Sequence, residues 1–194
     1  MVEPLPKVLA IVLAAGRASR FGGGKLDAML AGKRVGQWVL DALDAAGLAP
    51  GVIVTGPDKP AFAEESGWLL TTNPDPQAGL GTSLALAACQ TDGPLFVALA
   101  DMPFVPSNHF AALLQHESAA TAWPGGKSGV PAIFPPSLLP ELRTLYGDQG
   151  AGPLLTAMPD LVLVEAPDDA LLDIDRPEDL ARAEAILRRG GKPA

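Results

Sequence analysis

An apolar run, Val8-Leu9-Ala10-Ile11-Val12-Leu13, empties directly into Ala14-Ala15-Gly16-Arg17-Ala18-Ser19-Arg20-Phe21-Gly22-Gly23-Gly24-Lys25. An unbroken apolar stretch bounded by small residues reads as a strand buried on both faces, and such strands occur in sheets covered by helices on either side. The loop that follows joins glycines, which let backbone N–H groups approach an anion, to three cations, Arg17, Arg20 and Lys25. That combination suits phosphate.

The rest of the chain agrees with this architecture. Strand patterns at residues 8–14, 52–55, 68–71, 95–100, 132–134 and 161–165 alternate with helical patterns near 35–46, 59–66, 81–90, 107–116, 136–145, 152–158 and 177–189. The alternation predicts an α/β fold: three α/β/α layers around a mostly parallel, Rossmann-like sheet. The length suits one domain over 1–189, with 190–194 as a frayed tail. A hydrophobic content of 48% excludes disorder, and a net charge of −8 argues against a nucleic-acid polymer or an anionic membrane as partner. No apolar run approaches the ~18 residues of a membrane span. Residues 1–6 lack a basic leader, so a soluble cytoplasmic protein is expected. Cys89 is the sole cysteine, which excludes an internal disulfide. Its apolar neighbours predict a place in a helix core.

In open α/β sheets, ligands bind beyond the carboxyl ends of the strands. Three charged loops fall there: the loop after Leu13, Asp101-Met102-Pro103 after an apolar strand, and Asp173-Ile174-Asp175-Arg176-Pro177-Glu178-Asp179-Leu180. The first lacks both G-x-G-x-x-G and a Walker A ending, because Leu26 follows Lys25. Gly126-Lys127-Ser128 ends like a Walker A loop, but Thr121 stands where its first glycine belongs. A carboxylate at the end of a strand, as at Asp101, suits either a divalent metal or a turn. Pro177, Glu178 and Asp179 are accounted for as a helix start, whereas Asp173 and Asp175 precede it on alternate positions, so one can face the crevice as a second metal ligand. Gly81-Thr82-Ser83 reads equally as a helix cap and as amides that contact a nucleotide. His109 and His116, seven apart on a predicted helix, have no zinc-type partners and read as structural.

Taken in order, these motifs resemble the molybdopterin-type nucleotidyltransferases, most closely the molybdenum cofactor cytidylyltransferase branch. The matches are L-A-A-G-x-x-x-R-x-G…K over 13–25, G-x-x-x-S-L over 79–84, D-x-P over 101–103, G-D-Q-G-A over 147–151 and D-x-D-x-P-E-D-L over 173–180. The resemblance implies transfer of a nucleoside monophosphate from its triphosphate to an acceptor phosphate, with release of pyrophosphate. It implies nucleotide binding by Leu13, Ala14, Ala15, Gly16, Arg17, Gly22, Lys25, Gly81, Thr82 and Ser83. Arg20, Lys25 and Asp101 would act in catalysis, with Mg²⁺ held by Asp101 and by Asp173 or Asp175. Ala14-Ala15-Gly16 leans to CTP over GTP, and the acceptor would be molybdopterin or another phosphorylated small molecule, with a molybdoenzyme as a further candidate partner. The chain departs from the pattern at Asp27, at Arg34, where a proline is usual, at Val130, where a histidine is usual, and at Gly152, where an arginine is usual. The last two lie where the acceptor is expected, and they keep open a sugar or polyol phosphate as acceptor. A non-catalytic nucleotide-binding accessory protein is the alternative from another class.

Overall fold

The computed structural model describes residues 8–16, 20–148 and 150–189. Arg17, Gln149, the expected leader-free start and the expected tail therefore lie outside the described residues. In chain order the elements are β1 (Leu9–Ala14), β2 (Met29–Leu30), β3 (Lys33–Arg34), α1 (Val35–Ala45), β4 (Val52–Thr55), α2 (Ala61–Glu64), β5 (Leu69–Thr72), α3 (Leu80–Ala88), β6 (Leu95–Leu99), α4 (Ser107–Leu113), β7 (Ala119–Trp123), β8 (Lys127–Phe134), α5 (Leu139–Leu142), α6 (Gly152–Thr156), β9 (Val162–Glu165) and α7 (Pro177–Arg188). Short 3-10 turns occupy Lys25–Asp27, Pro76–Ala78 and Pro136–Leu138.

Seven strands make one sheet in the order β5-β4-β1-β6-β8-β7-β9. β1 pairs in parallel with β4 and β6, β4 with β5, and β7 with β9. Only β8 runs against its neighbours, between β6 and β7. The carboxyl ends of the other strands therefore share one edge. The period of two in β1 divides the core: Ala10, Val12 and Ala14 pack into one apolar layer, Ile11 and Leu13 into the other. The first layer takes Val35, Val39 and Leu43 from α1 and Phe110 from α4. The second takes Leu84 from α3, Leu142 from α5 and Leu155 from α6. Each fully buried side chain of this size contributes roughly 1.5–3 kcal/mol. Both faces are covered, so the expected three-layer α/β/α fold holds.

Several local expectations are corrected. β7 carries no strand pattern because Ala119-Ala120-Thr121-Ala122 is too small to show one. β8 begins at Lys127, five residues before the apolar end that marks it in the sequence. The helix bearing His109 stops at Leu113, so His116 lies beyond it. His109 is buried, and its Nε2 lies 2.9 Å from the Thr121 hydroxyl, which itself donates to the Pro131 carbonyl. Cys89 is exposed rather than in the core, because α3 ends one residue earlier, at Ala88.

Candidate active site

The loop after β1 is shaped by Gly22-Gly23-Gly24, whose φ angles of 91°, 100° and 64° suit glycine. It delivers Lys25 into a 3-10 turn, where the residue is only 5% exposed. The Lys25 Nζ donates to Asp101 Oδ2 at 2.7 Å and to Asp175 Oδ1 at 2.6 Å. Backbone bonds bring the three loops together: Ala100 N–H donates to the Leu13 carbonyl, and Ile174 N–H to the Asp101 carbonyl. Asp179 accepts from the N–H groups of Asp175 and Arg176, and so fixes the segment that carries Asp175. The Arg20 guanidinium, 70% exposed, lies 3.9 Å from the other Asp175 oxygen.

The electrostatics follow from burial and pairing. Burial alone would lower the Lys25 pKa, but the Asp101 and Asp175 carboxylates outweigh it and hold the ammonium above its usual value. The hydrogen bond from Lys25 holds Asp175 below the ordinary carboxylate value, against the opposing effect of burial. Asp173 moves the other way, raised first by burial and then by the nearby Asp175 and Asp101 charges.

Two cavities open along this edge of the sheet. One, of about 480 Å³, is lined by residues 14–16, 23–27, 56–60 and 74–77, beyond the ends of β1, β4 and β5. The other, of about 630 Å³, is lined by residues 122–126, by Glu165 and residues 166–169, and by Asp173 and Arg182, beyond β7 and β9. β6 stands between the two groups of strands, so Asp101 lies between the cavities. Lys25 belongs to the first cavity and Asp173 to the second.

The sequence-expected residues thus divide. Ala14, Ala15, Gly16 and Lys25 line the first cavity, while Leu13 is buried beneath it. Gly22 lies in the loop, and Arg20, Asp101 and Asp175 gather around Lys25. Gly81, Thr82 and Ser83 do not line the cavity. The Gly81 N–H donates to the Gly147 carbonyl. The Thr82 and Ser83 hydroxyls both accept from Asn73 Nδ2, and Thr82 donates back to the Gly79 carbonyl rather than capping α3. Sequence reasoning missed Asn73, Asp58 and Lys59. Asn73 carried a signal in Asn73-Pro74-Asp75-Pro76, a turn in which its side chain accepts from the Asp75 N–H. Lys59, in the cavity wall, was hidden inside a helical pattern that begins two residues later, at Ala61.

The family model of the MobA-like NTP transferase domain matches residues 10–162. The chain belongs to that family. No curated protein matches this transferase. Among solved structures it is similar to Rv0371c of Mycobacterium tuberculosis, with a TM-score of 0.77 and 22% identity over 94% of this chain and 100% of that one. Rv0371c has also been solved as a manganese complex. A nucleotidyl transferase of Methanothermobacter, Mth528, gives a TM-score of 0.75 and 25% identity over 95% of this chain and 99% of its own. The molybdopterin-guanine dinucleotide biosynthesis protein A of Archaeoglobus fulgidus gives 0.65 and 21% over 93% and 98%.

The transferase's departures from the family pattern have structural explanations. Asp27 accepts from the N–H groups of Ala61 and Phe62, both at 2.8 Å. The Arg34 Nε lies 3.7 Å from Asp27 Oδ1, and its guanidinium grips Glu65 at 2.5 and 3.2 Å. Val130 is 8% exposed and packs in the apolar layer with Leu155, and its carbonyl accepts from Trp123 Nε1. An added Cβ on Gly152 would stand 3.3 Å from the Ser128 carbonyl. No helix among the described residues is long and apolar enough to cross a membrane.

Proposed function

We propose that this nucleotidyltransferase moves CMP from CTP to the phosphate of molybdopterin and releases pyrophosphate. The observation that carries the reading is the cluster of Lys25, Asp101 and Asp175 between two cavities. The triphosphate occupies the 480 Å³ cavity with its α-phosphate toward Asp101, and the acceptor occupies the 630 Å³ cavity. An acceptor phosphate oxygen attacks the α-phosphorus, the bond to the bridging α–β oxygen breaks, and the electron pair leaves with pyrophosphate. A phosphate nucleophile is already anionic at neutral pH, so no side chain has to remove a proton from it. Lys25 and Arg20 neutralise phosphate charge, and the glycine loop orients the chain of phosphates.

The donor set fits a divalent cation: two carboxylates converge on one positive charge, here the Lys25 ammonium, and oxygen ligands suit Mg²⁺. Asp101 and Asp175 would hold the ion, which would lend the phosphates further charge neutralisation. Asp173, on the second cavity, is the less direct candidate. The preference for CTP rests on Ala14-Ala15-Gly16. GTP is the alternative nucleotide.

A second reading keeps the chemistry and changes the acceptor to a sugar or polyol phosphate. Val130 and Gly152, which stand where the family pattern has a histidine and an arginine, favour it, although neither lines the 630 Å³ cavity. The test is pyrophosphate release with Mg²⁺ and CTP or GTP, given molybdopterin or a panel of sugar and polyol phosphates. Release with CTP and molybdopterin supports the first reading, and release only with another acceptor supports the second. Nucleotide binding without release would indicate an accessory protein. Asp101→Asn is expected to lower turnover on the order of 100-fold with the fold intact. Unchanged turnover would remove Asp101 from the site.

A further inference from the structure

A carboxylate just after a triphosphate loop repels the phosphates, so Asp27 needs a compensating use. It closes the 3-10 turn that begins at Lys25 and lines the 480 Å³ cavity. Its two oxygens are taken by the first two amides of α2, 34 and 35 residues away. Those amides have no partner within their own helix, and Pro60, which precedes them, has no side-chain acceptor. A local Ser or Asp at position 60 would satisfy one of them equally well. The long-range bond does something a local cap does not: it ties the lysine turn to the opposite wall of the cavity, residues 56–60.

Both ends of the tether are anchored. Phe62 is 1% exposed, and its ring lies so close to Gly36 of α1 that an added Cβ there would stand 2.6 Å from it. At the other end, Lys25 is held between Asp101 and Asp175. Arg34 lies beside the same carboxylate and links it to Glu65, at the end of α2. Two departures from the family pattern, Asp27 and Arg34, are thus members of one network.

We propose that Asp27 is a positioning residue for the nucleotide, holding the lysine turn and the 56–60 wall at the separation a nucleoside triphosphate needs. The inference rests on the reading of this cavity as the nucleotide site. Both Asp27 oxygens are engaged by the Ala61 and Phe62 amides, so its part is to act through the backbone of the turn and the wall.

The experiment compares wild type, Asp27→Asn and Arg34→Gln by titration with CTP and with GTP in the presence of Mg²⁺, by KM and kcat for pyrophosphate release, and by thermal midpoint. For the nucleotide that the wild type binds, Asp27→Asn is expected to weaken affinity and raise KM roughly tenfold, the loss of one charge-assisted hydrogen bond. The kcat at saturating nucleotide is expected to stay within about twofold, the pattern of lost ground-state binding. Arg34→Gln leaves both amide bonds in place and is expected to raise KM by about twofold, so it keeps the test open if Asp27→Asn folds poorly. A lowered midpoint with unchanged KM in both variants would reduce Asp27 to a helix cap and overturn the proposal. Wild-type protein that binds neither nucleotide would overturn the reading of the cavity, and this inference with it.

Discussion

Lys25 stands between two carboxylates and binds both. Removing one partner of a buried ion pair leaves the others uncompensated. Lys25→Met is therefore expected to lower the thermal midpoint in metal-free buffer, and added Mn²⁺ to restore it by binding Asp101 and Asp175. Failure of Mn²⁺ to restore the midpoint would mean that the carboxylates do not hold a cation. The neighbouring aspartates have opposite signs. The depressed Asp175 pKa means that its ionised form favours the folded state above the unfolded value near ~3.9, and that this support is lost as pH falls through the folded value. The raised Asp173 pKa means that ionisation opposes folding once pH exceeds the unfolded value. At pH 7, Asp175→Asn should lower the midpoint and Asp173→Asn should raise it. Both differences should shrink in acid, as thermal melts across a pH series would record. Equal effects of the two variants at pH 7 would contradict this assignment of charges.

Among the elements, the junction before α3 is tightly constrained. Gly79 has a φ of 93°, and an added Cβ would stand 2.3 Å from the carbonyl carbon and oxygen of Gly147. The G-x-x-x-S-L and G-D-Q-G-A segments are therefore docked backbone to backbone, with the Gly81 N–H on the Gly147 carbonyl. Gly79→Ala is expected to cost about 2–3 kcal/mol, measurable by urea unfolding. A cost below ~0.5 kcal/mol would mean that the junction yields easily. This contact also shows what was legible in the sequence. Both segments stand out as motifs, but their meeting does not, because no local pattern encodes a contact between Gly79 and Gly147. The strand-end loops were legible because apolar runs mark β1 and β6, and charges then stop them abruptly. β7 was hidden by its small side chains, and the fixing of Asp175 by Asp179 was read only as a favourable helix charge. The capping role assigned to Thr82 or Ser83 fell to no side chain, because α3 begins at Leu80 and Asn73 engages both hydroxyls.

On the scale of the whole molecule, the strand order separates the two cavities, and the proposed function assigns one substrate to each. β5, β4 and β1 frame one cavity, β7 and β9 frame the other, and β6 and β8 lie between them. Trp123, on the far side, should therefore affect the acceptor alone. Trp123→Ala is expected to lower kcat/KM for the acceptor roughly tenfold, the upper range of a lost aromatic contact, with nucleotide affinity unchanged. Steady-state kinetics with each substrate varied in turn would check this, and an equal loss for both substrates would contradict the division. The direction of β8 has a consequence of its own. An antiparallel strand inserted into a parallel sheet is a seam: the register of β1 with β4 and with β6 is set on one side of it, and β7 and β9 lie on the other. On the function proposed above, such a molecule would exchange one clientele for another while its fuel, and the machinery that burns it, stay the same.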